Sequence, residues 1–492
     1  MVQNNMAIGL TFVVYLALML GIGIVAYKRT TNLSDYILGG RSLGPWTSAI
    51  SAGASDMSGW LLLGLPGAAY VSGISASWIA VGLLIGTWLN WLIVAKRLRL
   101  YSFKVSDALT LPEYFANRFQ DKSHLLRVIS AIFILMFFLF YTSSGLVAGG
   151  RLFETVFGFD YRIAVTIGTL TIIMYTFIGG FLAVSWTDLI QGLMMAAALA
   201  IVPIIAFSDL GGASGAGAAL AAESDYMLAW FRDASTGEAL SVIGIVSSLA
   251  WGLGYFGQPH ILARFAAIRS DRDIPAARRI AVSWTAIALI SSVAVGLLGV
   301  GFVQRDLADG ETVFMVMVNL SFHPVIAGIL LAAILAAIMS TADSQLLVSS
   351  SALTDDFYKA IFRKDASQTE LVWVGRFAVI AIAVVAYLLA LNPDATVLDL
   401  VAYAWAGFGA AFGPALIMSL YWRRMNKWGA LAGIVVGGVT VVVWAELSGG
   451  LFDLYEIVPG VVLAYLAIVA ASLATEAPTD AITADFDTFD QA

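Results

Sequence analysis

Long apolar stretches separated by short polar segments run along almost the whole 492-residue chain. A helix needs about 20 mostly apolar residues to cross the hydrocarbon core of a bilayer. Read at that length, the pattern predicts about thirteen transmembrane helices, and therefore an all-α polytopic membrane protein. The predicted spans, numbered one to thirteen, lie at 7–27, 43–71, 76–95, 127–149, 163–184, 187–208, 240–263, 280–303, 324–350, 371–391, 397–421, 429–446 and 455–472.

Spans two and seven are interrupted by small and polar residues. Span two contains Ser-Ala-Gly-Ala-Ser-Asp-Met-Ser-Gly-Trp at 51–60, and span seven contains three glycines and Pro259 within 251–260. Proline removes a backbone donor and disrupts the turn before it. Corresponding interruptions in two halves of a chain are typical of transporters built from inverted repeats, with the substrate bound between them. The alternative is a plain kink or close helix packing at each position.

The five-span spacing between the two interruptions predicts the domain organisation. An odd number of spans per repeat makes the second copy enter the membrane from the opposite side. The predicted units are an extra N-terminal helix and first inside loop at 1–42, repeat 1 (spans two to six) at 43–208, an outside loop at 209–239, repeat 2 (spans seven to eleven) at 240–421, the last two spans at 422–472 and an acidic cytoplasmic tail at 473–492.

The positions of the basic residues predict the orientation. If the N-terminus lies outside, the inside loops hold 22 of the 26 Lys and Arg residues, and the outside keeps Arg151, Arg162, Arg232 and Arg305. Basic residues favour the cytoplasmic side, so we predict a plasma-membrane protein with its N-terminus outside and its C-terminus in the cytoplasm. The acidic tail reads as a disordered, solvated segment.

Composition narrows the possible chemistry. The chain is 60% hydrophobic and 12% charged, where soluble proteins average about 25% charged. It has no cysteine and three isolated histidines, which excludes disulfides, thiolate metal sites and a multi-histidine centre. The chain shows no nucleophile motif for an intramembrane enzyme and no repeated filter for a channel. The expected surroundings are a lipid bilayer, with no nucleic-acid partner.

Oxygen donors near the first interruption suggest a cation site. Asp56 is a charge within a span, which costs about 3 kcal/mol or more at the bilayer centre and usually has a function. Sodium is a hard cation that takes several oxygen ligands. Five candidate donors are the carbonyls of Ala54, Met57 and Ala337 and the hydroxyls of Ser340 and Thr341. The alternative for the two hydroxyls is a hydrogen bond back to their own helix.

Aromatic side chains near both interruptions suggest a substrate pocket. Trp60, Tyr141, Trp251 and Tyr255 fall within spans rather than at their ends, where an interfacial belt would place them. Apolar rings with a few hydroxyls suit a small organic substrate. Free amides at a broken helix suit a carboxylate. No predicted span presents a Lys or Arg in mid-membrane as another anion partner.

Three further charged residues are candidates for an ion path or a gate. Asp188 reads either as the N-cap of span six or as a waypoint for a cation moving toward the cytoplasm. Asp343, on the inner part of span nine, is a candidate for the same path. Arg41 reads either as an inside basic residue or as part of a gate.

Four motifs together resemble the sodium/solute symporter family, and within it the bacterial members that transport proline. They lie at 38–45 (Leu-Gly-Gly-Arg-Ser-Leu-Gly-Pro), 51–60, 175–188 and 254–264, where Gly-Tyr-Phe-Gly-Gln-Pro-His is the most specific run. The resemblance covers about 11–460. It implies a LeuT-type core of two inverted five-helix repeats, with one helix before and two after.

The resemblance also implies a function and roles for residues. The expected function is sodium-coupled uptake of L-proline by alternating access, and the alternative is another carboxylate or osmolyte, such as pantothenate. Sodium is the coupling ion. The implied sodium site is Ala54, Met57, Ala337, Ser340 and Thr341. The implied coupling residues are Asp56, Ser58 and Gly59, with Asp56 shaping the break rather than binding the ion. The implied proline pocket is Trp60, Tyr141, Trp251, Tyr255 and Pro259. Arg41 and Asp188 match positions in the family that are important for function. Oligomeric state does not follow from the sequence.

Overall fold

The computed structural model describes residues 5–27, 33–105, 107–178, 180–303, 307–392 and 396–490. Within these ranges the fold is helical, with two isolated bridges, Leu43 to Ile268 and Arg232 to Ala239, in place of strands. The helices of the first half are α1 (Asn5–Tyr27), α2 (Leu33–Leu38), α3 (Pro45–Asp56), α4 (Leu65–Ser72), α5 (Ser77–Leu89), α6 (Ala95–Leu100), α7 (Leu111–Arg118), α8 (Leu125–Phe157), α9 (Tyr161–Ile178), α10 (Phe181–Asp209) and α11 (Gly212–Glu223).

The second half continues with ten helices. They are α12 (Val242–Ala250), α13 (Pro259–Ala267), α14 (Ile274–Val303), α15 (Val313–Ser321), α16 (Pro324–Ser351), α17 (Gln368–Ala390), α18 (Val397–Tyr421), α19 (Lys427–Trp444), α20 (Ile457–Ala474) and α21 (Asp480–Asp490). Short 3₁₀ segments lie at Gly39–Arg41, Gly73–Ala76, Trp251–Gly257, Asp271–Asp273, Gly310–Thr312 and Gly450–Asp453. Wider π-helical turns lie at Trp60–Gly64, Asn90–Val94, Tyr101–Val105 and Ala352–Phe362.

The apolar helices support a membrane-spanning protein. Among the described residues, ten helices are long and apolar enough to cross a bilayer. Two shorter apolar stretches, Tyr161–Ile173 and Val242–Gly257, fall at predicted spans five and seven. The predicted count of thirteen therefore stays a prediction, as do the boundaries of the two repeats.

Two helices form the centre of the molecule. Most of α16 and α18 is buried inside the protein, whereas α1 and α20 leave most of their surface facing outward. The first interrupted helix, α3, packs against α10, α14 and α16, and the 3₁₀ segment Trp251–Gly257 packs against α5 and α18. Both interruptions therefore face the centre.

The division between predicted spans five and six was placed wrongly. The apolar pattern predicts a division at 185–186, but α10 begins at Phe181 after Gly180, whose backbone is fully extended (φ −148°, ψ −175°). A glycine at this point lets the chain leave the helical conformation at little steric cost. Asp188 therefore lies two turns inside α10, and its interpretation as an N-cap is wrong.

The prediction of a disordered tail is also wrong for most of the segment. The tail forms α21, whose Phe486 is buried and lies over the Arg118 guanidinium at 5.2 Å. Asp487 accepts two hydrogen bonds from Arg423, at 2.8 and 2.9 Å, which lower the pKa of that carboxyl. The acidic composition suggested disorder, but the segment is an amphipathic helix in which the buried Ile482 and Phe486 lie one turn apart on the same face.

Candidate substrate and ion site

The first break lies where α3 ends at Asp56. Met57 leaves the helical conformation (φ −82°, ψ 81°), and its N–H donates to the Gly53 carbonyl at 2.8 Å. The chain resumes at Trp60 in a wide π-helical turn. Gly59 has no room for a side chain, since a Cβ there would lie 2.6 Å from the Ala148 methyl. The predicted opening of span two is therefore present.

The second break is longer. Trp251–Gly257 is a 3₁₀ segment, Gln258 is extended (φ −78°, ψ 106°) and α13 starts at Pro259. Proline suits the first position of a helix because its missing donor would have no partner there. The segment also lies very close to predicted span three, since a Cβ on Gly86 would lie 2.2 Å from the Gly252 carbonyl oxygen.

Asp56 joins the two breaks. Its side-chain Oδ2 accepts a hydrogen bond from the Tyr255 hydroxyl at 2.6 Å, and its backbone carbonyl accepts from Tyr141 Oη and Trp60 Nε1, both at 3.0 Å. All four residues are at most 2% exposed. Three of the predicted pocket residues thus meet at Asp56. The hydroxyl of Ser58 lies 3.5 Å from the backbone nitrogen of Trp60.

The other two predicted pocket residues lie apart from Asp56. Trp251 stacks on Tyr455, with ring centroids 5.6 Å apart. Pro259 lines a separate apolar cavity with Leu262 and Ala266, on the predicted inner side. The structure therefore brings Trp60, Tyr141 and Tyr255 together at Asp56 and places Trp251 and Pro259 apart from them.

Four of the five predicted cation donors come together at the first break. Ser340 Oγ lies 2.7 Å from the Ala54 carbonyl oxygen and 3.1 Å from the Ala337 carbonyl oxygen, and Thr341 Oγ1 lies 3.2 Å from that of Ala54. Met57 is buried three residues after Ala54. Both hydroxyls reach across to the neighbouring helix, although Ser340 also bonds back within its own helix. Oxygen atoms in this arrangement can bind a small hard cation.

A buried ion pair contacts Ser51, which lies one turn before Ala54 in α3. Arg264 NH2 lies 3.0 Å from Asp188 Oδ2, and both side chains are fully buried. Ser51 donates to the same carboxylate oxygen at 2.6 Å, and Arg264 donates to the Ser344 hydroxyl at 2.6 Å. Ser344 in turn donates to the Ser340 carbonyl at 2.9 Å. A continuous hydrogen-bonded chain therefore connects Asp188 to the candidate cation site.

This pair corrects the prediction that Arg264 lies in an inside loop. Helix α13 continues to Ala267 and carries Arg264 into the protein interior. Its partners are a carboxylate, two hydroxyls and the His260 carbonyl. A buried guanidinium is tolerated when its donors are used in this way.

The remaining predicted residues lie on the predicted inner side. Arg41 donates to the carbonyls of Ala266, Ser102 and Ala108 at 2.8–3.2 Å and pairs with Asp107. It therefore links the end of α13 to the segment that follows predicted span three. Asp343 is buried in α16, close enough to Arg264 to interact electrostatically.

Sequence reasoning missed four residues of this region: Arg264, Ser344, Asn90 and Trp405. Ser344 lies one turn after Ser340, a spacing that could have identified it. The other three are recognisable only from their partners on distant spans.

Replacing Tyr255 by Phe is expected to weaken the affinity for both solutes that the sequence predicts, sodium and proline. The change removes the hydroxyl on Asp56 and leaves a buried carboxylate oxygen without its donor, which costs about 1–3 kcal/mol. We expect half-saturating concentrations of both solutes to rise by about fivefold or more. Labelled-proline uptake in proteoliposomes, titrated in each solute, measures this. A matched control is Tyr387→Phe, whose hydroxyl bonds Thr166 away from both breaks. An unchanged titration for Tyr255→Phe would contradict the link.

Comparison with known proteins agrees with this architecture. The model of the sodium:solute symporter family matches residues 36–437. The chain is 51% identical over 475 residues to the high-affinity proline transporter of Bacillus subtilis, covering 96% of this chain and 99% of that protein. It is 51% identical over 479 residues to the sodium/proline symporter of Escherichia coli, covering 96% and 94%.

Two solved structures share the fold. One is a Na⁺-coupled sialic acid symporter in a substrate-bound, outward-open state, with a TM-score of 0.79 and 20% identity over 96% of this chain and 99% of that one. The other is Mhp1, a transporter of the nucleobase-cation-symport-1 family, with a TM-score of 0.57 and 15% identity over 93% and 99%. The fold is therefore the predicted LeuT type.

Proposed function

The chain belongs to the sodium:solute symporter family, and we propose that it takes up L-proline together with sodium by alternating access. The observation that carries the proposal is the meeting of the Ser340 and Thr341 hydroxyls with the Ala54 carbonyl at the first break. Relatives about 50% identical over nearly the whole chain are named as proline transporters or sodium/proline symporters, which supports proline as the substrate.

In this proposal the five oxygen donors hold sodium, and the ion organises the break. An ion between Ala54 and α16 would replace the present hydroxyl-to-carbonyl bonds and hold α3 against α16. Asp56 lies outside this donor set and fixes the positions of Trp60, Tyr141 and Tyr255. Together with Ser58, Gly59, Trp251 and Pro259, these aromatic residues would surround proline.

Sodium supplies the electrical driving force, because proline is a zwitterion without net charge. A membrane potential of ~150 mV provides about 3.5 kcal/mol per sodium ion, enough for several-hundredfold accumulation if one ion moves per substrate. Sodium and proline must raise each other's affinity by the same factor, as thermodynamic linkage requires.

We further propose a position in the plasma membrane with the N-terminus outside and the C-terminus in the cytoplasm, because the basic residues are concentrated in the loops of one side. In that orientation Arg41, Asp188 and Asp343 lie on the cytoplasmic exit path. The Arg41 contacts with three carbonyls would close that exit, and Asp188 would receive the ion after it leaves Ser340.

Labelled-proline uptake by the purified protein in proteoliposomes tests the function. We expect accumulation driven by an inward sodium gradient, and loss of accumulation when potassium or choline replaces sodium. Unlabelled proline should compete fully, whereas pantothenate should not. Counterflow by preloaded proline distinguishes a carrier from a channel. Sodium-independent uptake, or full competition by pantothenate, would overturn the proposal.

A further inference from the structure

The 3₁₀ segment Trp251–Gly257 in span seven departs from the regular i→i+4 pairing of an α-helix. A backbone carbonyl has two lone pairs, so it can accept a hydrogen bond from a side chain as well as from the backbone. Three carbonyls of this segment receive such a bond from a side chain. The Trp251 carbonyl accepts from Trp405 Nε1 at 2.7 Å, the Gly254 carbonyl from Gln258 Nε2 at 3.2 Å, and the Tyr255 carbonyl from Asn90 Nδ2 at 3.0 Å.

Two of the three donors come from other helices. Asn90 begins the wide turn Asn90–Val94 that follows α5 and is fully buried, and Trp405 lies in α18 with 1% of its surface exposed. Gln258 Nε2 also donates to the Trp405 carbonyl at 3.2 Å, so Trp405 both gives and accepts a hydrogen bond at this segment. The unwound segment is thus fastened on two sides, to span three and to span eleven.

Trp405 also shapes the aromatic pocket. Its ring stands edge-on to Tyr255 at 5.0 Å (89°) and to Tyr141 at 6.5 Å (81°). Gly254 lies directly beneath the indole, since a Cβ there would lie 1.9 Å from Trp405 Nε1. Both tyrosines that bond Asp56 therefore rest against the same tryptophan.

We propose that Trp405 and Asn90 are positioning residues that keep span seven unwound and hold Tyr255 and Trp251 in place for the substrate. This proposal rests on the proposed function, because it assigns the consequence to proline binding. The sodium donors lie on α3 and α16, which neither side chain contacts by hydrogen bond. Trp405→Phe leaves the Tyr255 hydroxyl able to donate to Asp56, so loss of the indole donor should weaken proline binding much more than sodium binding.

Hydrogen exchange measures the holding role without any transport. Trp405→Phe keeps an aromatic ring and removes the indole donor. We expect amide exchange within 251–258 to become about tenfold faster or more. The matched control is Trp444→Phe, because Trp444 is half-buried and donates its indole N–H to the Leu454 carbonyl at 2.9 Å, away from both breaks. Equal exchange in wild type and Trp405→Phe would overturn the proposal. Asn90→Leu repeats the test from span three if Trp405→Phe fails to fold.

Uptake titrations measure the consequence for the substrate. In Trp405→Phe we expect half-saturating proline to rise by about tenfold and half-saturating sodium to change by less than threefold. A residue that only supports folding would lower the amount of active protein and leave both values unchanged. Unchanged proline dependence, or an equal rise for both solutes, would overturn the proposal. Failure of the wild type to accumulate proline would overturn the proposed function instead, and hydrogen exchange would still decide the holding role.

Discussion

Replacing Arg264 by Gln is expected to destabilise the protein strongly and to abolish transport. The change leaves Asp188 as a fully buried carboxylate without its cationic partner. Removing one member of a buried ion pair costs about 3–5 kcal/mol, because the remaining charge is neither hydrated nor paired. Thermal unfolding of the purified variant in detergent measures the stability, and sodium-driven proline uptake measures the activity.

Neutralising both Arg264 and Asp188 distinguishes the effect of an unpaired buried charge from the effect of altered packing. Arg264→Gln combined with Asp188→Asn removes the unpaired charge, so we expect much of the stability to return while transport stays low. Arg269→Gln is the matched control, since Arg269 pairs with Asp273 at 2.7 Å but is 60% exposed. Exposed pairs contribute about 0–1 kcal/mol, so its stability should be close to that of the wild type. An Arg264→Gln variant as stable as the wild type would contradict the buried-pair argument.

The sequence predicted the breaks because their signals are local. Glycine, proline and a carboxylate within an apolar run are visible in any short window, and each break occurs where those residues lie. The hydroxyl pair was found in the same way, from Ser340 and Thr341 adjacent within an apolar span. Their meeting with Ala54 follows from the packing of α3 against α16, which the resemblance implied and the pattern alone left open.

Residues defined by distant partners could not be predicted in this way. Arg264 has the appearance of a loop residue because it is charged and follows an apolar run, and its burial depends on a carboxylate 76 positions away. Trp405 reads as one more apolar residue of span eleven, and its role depends on the hydrogen bond that it donates to the Trp251 carbonyl in the break of span seven. Neither pairing has a signal within a short sequence window. The wrong division at 185–186 had a different cause, since polar Ser185 and Thr187 suggested a boundary although both are buried within α10.

Replacing Ser340 or Thr341 by Ala is expected to raise the sodium concentration needed for half-maximal proline uptake by about tenfold or more. Each change removes one of the oxygen atoms that converge on the Ala54 carbonyl, at 2.7 and 3.2 Å. A hard cation depends on the number of its oxygen ligands, and a tenfold loss of affinity corresponds to about 1.4 kcal/mol. Uptake titrated with sodium at saturating proline measures the effect, and the double variant should need more sodium than either single variant.

Ser351→Ala is the matched control for this test. Ser351 is a buried serine at the end of the same helix, and its hydroxyl bonds back to the Leu347 carbonyl at 2.8 Å, three turns beyond Ser340. If Ser340 and Thr341 only satisfied backbone carbonyls, their removal would resemble that of Ser351 and would leave the sodium dependence unchanged. Because their hydroxyls bridge α16 to the end of α3, we expect the sodium dependence to separate the two cases. Sodium titrations of Ser340→Ala and Thr341→Ala that match the Ser351→Ala titration would remove both residues from the ion site.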